Sequence, residues 1–202
     1  MKEIYVDHAA TTKINREVLE CMMPYLTNNY GNPSTAYKLG IENKKAIEAA
    51  RQKVANAIGA ENSEEIIFTS GGSEADNLAI KGIAKANSEK GKHIITSKIE
   101  HMAVLNSCKQ LESEGYGVSY IDVDSNGIIK INELEKAIRN DTILISVMFA
   151  NNEIGTIQPI KEIVKIAHKN NVLFHVDAVQ AVRKRENRCK KSEYRFIIFI
   201  CT

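Results

Sequence analysis

Ile66-Ile67-Phe68-Thr69-Ser70-Gly71-Gly72-Ser73-Glu74-Ala75-Asp76-Asn77 reads as a short apolar strand, a glycine turn and the opening of a helix that runs from about Ser73 to Ala86. The same alternation continues downstream. His93 to Thr96 is an apolar strand, Met102 to Glu114 a helix, and Val118 to Ile121 a further strand. Asp122 to Gly127 is a turn cluster, only loosely like a calcium loop because the glycine and terminal glutamate positions do not fit. Asn132 to Ile138 is a short helix and Thr142 to Phe149 a strongly apolar, β-rich strand. Ile160, Ile163, Val164 and Ala167 recur at helical spacing, and Leu173 to Asp177 is the last strand. Strands that alternate with helices need crossover connections, so the expected fold is α/β, a mainly parallel central sheet flanked by helices. Upstream lies a long helical stretch from about Ala36 to Ile58, with Gly59 at the place of a C-terminal cap.

Composition narrows the function classes. The chain has 202 residues and a net charge of +2. Seven of its 27 basic and two of its 25 acidic side chains fall in residues 183–202, which leaves 20 against 23, a net −3, for residues 1–182 and +5 for the tail. The body therefore offers no electrostatic case for nucleic acid. No run approaches the roughly 20 apolar residues of a spanning helix, and no signal peptide is visible at Met1 to Tyr5, so the expectation is a cytoplasmic protein without a membrane partner. Cys21 and Cys108 stand alone, as reduced thiols would.

Four polar groups sit where strands end, the place at which open α/β sheets bind ligands. Thr69 to Asn77 is a glycine turn opening a helix, whose free N–H groups suit a phosphate, although it also serves as a plain helix start. Glu100-His101 places a histidine that can stack on an aromatic ligand and move protons, or be a partly exposed structural residue. Ala150-Asn151-Asn152-Glu153-Ile154-Gly155-Thr156 offers amides to a flat ligand, or simply turns the chain. Asp177, after an apolar strand, is costly to bury without a positive partner. A protonated pyridine nitrogen is such a partner, and a helix N-cap is the alternative role. Together the four groups are the parts of a site for pyridoxal 5'-phosphate (PLP).

The residues that carry a wider likeness are Tyr5-Val6-Asp7-His8-Ala9-Ala10-Thr11-Thr12, Tyr30-Gly31-Asn32-Pro33-Ser34, the Thr69 to Asn77 turn, Glu100-His101, Asn151-Asn152-Glu153-Ile154-Gly155 and His175-Val176-Asp177-Ala178-Val179-Gln180. In this order they resemble the cysteine desulfurases of the NifS/IscS type, in the class V aminotransferase group of fold-type I PLP enzymes. The resemblance implies that Gly72 and Ser73 bind the PLP phosphate, and that His101 stacks on the ring and helps move protons as the catalytic residue. It further implies that Asn152 and Gln180 lie by the ring hydroxyl, that Asp177 pairs with the ring nitrogen, and that Asn32 and Asn152 serve the substrate. The family takes sulfur from L-cysteine, leaving L-alanine and a persulfide on an enzyme cysteine, for delivery to an iron–sulfur scaffold or another sulfur acceptor. It works as a homodimer. The domain reading that follows is an N-terminal segment at 1–15, a partial PLP-binding large domain at 16–182 and an aberrant tail at 183–202. Selenocysteine lyase, another class V lyase and a non-catalytic half-domain subunit are the alternatives.

The tail bears on activity. The family's Schiff-base lysine, in a Ser-x-x-His-Lys context, and its mobile-loop cysteine have no counterpart here. Lys184, Lys190, Lys191, Cys189 and Cys201 lack those contexts. Back-translated with A/T-rich codons and read one nucleotide later, Asn187 to Thr202 yields a segment resembling the family's approach to its lysine. The expectation is a one-base slip near Arg183 to Glu186, an incomplete sheet and little desulfurase activity. The Phe196 to Ile200 run, β-prone and uncharged, is expected to favour aggregation. A genuine basic tail that binds an acidic partner is the competing reading.

Overall fold

Two runs of β-branched and aliphatic residues are buried at every position and form the middle of the sheet: β1, His93–Ser97, and β3, Thr142–Ser146. They belong to a computed structural model that describes residues 4–181 and divides into two compact units between Phe68 and Thr69. In the second unit β2, Gly117–Ile121, and β4, Leu173–His175, complete a four-stranded sheet of order β2-β1-β3-β4. Every pairing is parallel. Each connection runs through a helix, as parallel strands demand.

Alternation along the strands sends side chains to two apolar layers. Ile94 and Leu144 meet Ile80, Ile83 and Ala84 of α3, Gly72–Ala86, and Val104, Cys108 and Leu111 of α4, Met102–Ser113. On the other face Ile95, Ile145 and Phe174 pack on Leu134 of α5, Ile131–Ala137, and Ile163, Val164 and Ala167 of α6, Ile160–Lys169. Each fully buried aliphatic side chain in these layers contributes roughly 1.5–3 kcal/mol. The α/β architecture, with a parallel sheet between helices, is the one expected from the strand–helix alternation.

The first unit is helical. α1, Arg16–Thr27, is a helix that the pattern reading did not anticipate, although Val18, Leu19, Met22, Met23 and Leu26 recur at helical spacing; all of them are exposed in this unit. Its start is legible afterwards, because the Asn15 side chain accepts the Glu17 N–H as an N-cap. α2, Lys38–Ile58, ends at Gly59 with φ +80°, the left-handed cap that glycine favours. Its N-terminal half presses on the 32–35 turn. A Cβ at Gly40 would stand 2.5 Å from the Asn32 carbonyl oxygen, and the Asn43 amide donates to the carbonyls of Asn29 and Gly31, both at 2.6 Å.

One expected strand is absent. Ile66 to Phe68 is extended but pairs with no strand among the described residues. Ile67 and Phe68 are exposed, the Arg51 guanidinium donates to the Ile66 carbonyl, and the same group stacks 4.8 Å from the Phe68 ring. Apolar content there suggested a strand, but a strand exists only where a ladder partner meets it. The tail, including Lys184, Lys190, Lys191, Cys189, Cys201 and the Phe196 to Ile200 run, lies outside the described residues.

Candidate functional site

The C-terminal ends of β1, β3 and β4 open onto three polar turns. The chain leaves β1 at Ser97 and enters α4 at Met102, with Glu100 and His101 between. The start of α3 comes to the same edge: the Asp76 carboxylate, one turn beyond Gly72, stands 3.6 Å from His175 Nε2 at the end of β4. Gly72 and Ser73 open α3, and His101, Asn152, Asp177 and Gln180 lie on the turns that follow β1, β3 and β4, all in one unit. Asn32 belongs to the other unit, where its side-chain oxygen accepts the Ser34 N–H at 2.9 Å.

At the α3 start, Gly71 holds the N-cap position without a side-chain cap bond, and the first intrahelical bond runs from Ala75 N–H to the Gly71 carbonyl. The first-turn N–H groups of Gly72 and Ser73 are left pointing outward by helix geometry. Open space flanks the turn, since a Cβ at Gly71 would meet nothing within 4 Å. The Glu74 carboxylate accepts the N–H and hydroxyl of Ser70, both at 2.6 Å, which holds it below the usual carboxylate range. It takes the Ser70 donors and leaves those of Gly72 and Ser73 available to an anion.

His101 caps α4. Its Nδ1 accepts the Ala103 N–H at 3.2 Å, so the neutral ring carries its proton on Nε2, and the ring is exposed. Asp177 is 7% exposed, accepts the Val179 N–H at 3.0 Å and has no ion pair among the described residues. Burial, followed by the charge of Asp76, pushes its carboxyl up; the Val179 N–H and the nearby His175 and His101 hold it partly down. A buried acid in that state gains most from a cation brought against it. The helix N-cap considered for Asp177 is not what forms among the described residues: Oδ1 accepts the Val179 N–H within a turn, and the acid has no cationic partner among those residues.

The two asparagines after β3 separate by function. Asn151 is buried and structural: its amide donates to the Ile99 carbonyl at 3.0 Å, and its oxygen accepts from Glu153 and Ile154 at 2.9 and 3.0 Å. These bonds tie the β3 turn to the β1 turn and leave Asn152 exposed at the edge. Gln180 is half-buried in the turn beyond Asp177. Pattern reading overlooked a buried set beneath these loops: Asp76, Thr96, Glu100, Ser146 and His175. For Thr96, Ser146 and His175 the signal was a polar residue toward the C-terminal end of an apolar-rich strand; Asp76 in α3 and Glu100 in the β1–α4 turn carried none.

The aminotransferase class-V pattern matches residues 4–200. A cysteine desulfurase IscS of Methanosarcina thermophila is 60% identical over 181 residues, which are 90% of this chain and 45% of the relative. One of Dictyoglomus turgidum is 56% identical over the same length and is covered to 46%. The chain thus spans about half the length of the curated relatives it matches. Among solved structures, a NifS-like protein superposes with a TM-score of 0.94 at 42% identity, over 98% of this chain and 55% of the other. An apo cysteine desulfurase of Thermococcus onnurineus does so at 0.86 and 31% identity, over 97% and 49%. The chain belongs to the aminotransferase class-V family, and its relatives there are cysteine desulfurases of the NifS/IscS type, a group of PLP enzymes.

Proposed function

We propose that this chain carries the cofactor-binding part of a PLP-dependent cysteine desulfurase. Gly72 and Ser73 would hold the phosphate at the α3 start, Asp177 would face the ring nitrogen, His101 would stack on the ring, and Asn152 and Gln180 would lie by its hydroxyl. Asn32, with Asn152, would serve the substrate L-cysteine. The bound cofactor supplies an electron sink for cleavage at the substrate carbons and sulfur. The chain's own residues bind and orient it. The Asp177 carboxylate would favour a proton on the ring nitrogen by charge, and His101, an exposed residue, would pass protons through its Nε2. The sulfur acceptor, the homodimer and a cytoplasmic setting belong to the same reading.

The observation that carries it is Asp177: a buried acid at the end of β4, without a cationic partner among the described residues, at the same sheet edge as an uncapped glycine helix start and an exposed histidine. Titration of the full chain with PLP, followed by visible absorbance, tests it. Saturable one-to-one binding is expected, weakened at least about tenfold in Asp177→Asn, a loss of about 1.4 kcal/mol. Thermal stability should be held or raised in that variant, because an uncompensated buried charge is removed. Binding equally tight in Asp177→Asn and His101→Ala would refute the assignment.

A further inference from the structure

Behind the loops lies a buried polar layer that the proposed cofactor contacts do not use. Thr96, Ser146 and His175 stand in register across β1, β3 and β4, all fully buried, with Ser146 Oγ 2.7 Å from His175 Nδ1. Asp76 approaches from α3. Glu100, 6% exposed, completes the layer from the β1–α4 turn. Its Oε1 accepts the Ser97 hydroxyl at 2.5 Å and the Met148 N–H at 3.1 Å, whereas Oε2 is buried and has no hydrogen-bond partner among the described residues.

The titratable groups facing Glu100 are Asp76 of α3, Cys108 of α4 and Asp177 beyond β4, with His175 on β4 behind them and His101 next in the chain. No Lys or Arg among the described residues pairs with it. An ionised carboxyl here would be desolvated beside two further acids, whereas a neutral acid keeps both accepted bonds without that cost. We propose that Glu100 is a positioning residue: as a neutral, proton-bearing acid it clasps the His101 turn to the end of β3 and so sets where the His101 ring stands. Burial pushes its carboxyl up to about 8, in keeping with that state at neutral pH.

The role of His101 toward a cofactor rests on the function proposed above, but the clasp is measured without cofactor, so the two fail separately. The full chain is labelled with side-chain [13C]glutamate and followed by NMR, with histidine ring signals recorded in parallel. One carboxyl signal, missing in Glu100→Gln, should titrate near pH 8. Ser97→Ala, which removes a bond that favours the ionised form, should move that midpoint upward. Glu100→Gln, neutral and of the same shape, should leave the His101 ring signals in place. Glu100→Ala should shift them and speed exchange of the Met148 amide at least tenfold. A Glu100 signal titrating below pH 6 would overturn the proposal, as would His101 signals displaced as far by Gln as by Ala. Should the Ala variant not fold, the wild-type midpoint, its direction of change in Ser97→Ala and the Gln comparison decide the matter.

Discussion

Glu100 and Asp177 both hold their carboxyls above the ordinary range, and the sign of the consequence follows from proton counting. Between its ordinary 4.5 and about 8, Glu100 keeps a proton in the folded chain that the unfolded chain has released. Stability therefore falls as pH rises through that window, at roughly 1.4 kcal/mol per unit of pKa difference. Asp177 acts in the same direction. Glu74, Asp122 and Asp141 are held low and act oppositely, but they are surface groups whose influence lies at acid pH and is weakened by solvent. His93, which burial holds below its ordinary 6.5, also acts oppositely, and its influence ends near that value. Urea denaturation of the full chain should show stability declining between pH 7 and 8, where His93 no longer offsets Glu100, and Glu100→Gln should flatten that decline. A stability rising from pH 7 to 8 in the wild type would contradict this. Neither acid declares its state in the sequence: both are ordinary carboxylates until the fold removes the water around them.

The helices and turns respond to different chemistry. In α2, Gly40 admits the 32–35 turn so closely that a methyl group would meet Thr35 Oγ1 at 2.3 Å and the Asn32 carbonyl at 2.5 Å. Asn43, three residues further along the same helix, satisfies two carbonyls of the 29–31 segment. Gly40→Ala should cost on the order of 1–3 kcal/mol through overpacking, and Asn43→Ala a similar amount by leaving both carbonyls unpaired. Amide exchange at Ser34 and Thr35, whose N–H groups bond to Asn32, should accelerate in both variants. Unchanged exchange would show that the turn holds itself. In α6, Ile163 is fully buried under the sheet, and Ile163→Ala is expected to lose about 2–5 kcal/mol by cavity formation; a midpoint shift below 1 kcal/mol in urea would contradict the packing described. Helix positions with an apolar stripe were legible in advance, as in α6. α1 carries such a stripe too, in Val18, Leu19, Met22, Met23 and Leu26, and was overlooked rather than illegible; what the pattern could not tell is that those side chains stay exposed.

For the molecule as a whole, the chain spans 45–46% of the two cysteine desulfurases compared above, and no Ser-x-x-His-Lys stretch occurs in its 202 residues. The full chain, saturated with PLP, is expected to form alanine from cysteine at no more than background rate; turnover matching a desulfurase would show that another lysine serves. Sequence by itself settled the α/β class, the parallel order of strand and helix and the loops that carry polar groups, because hydrophobic periodicity and glycine turns are local properties. Tertiary structure alone decided that Ile66 to Phe68 is no strand, that Asn151 braces the edge while Asn152 is exposed, and that Asp76, Glu100 and His175 lie in one buried layer. Those outcomes depend on which distant segments meet, and on how much water each meeting excludes.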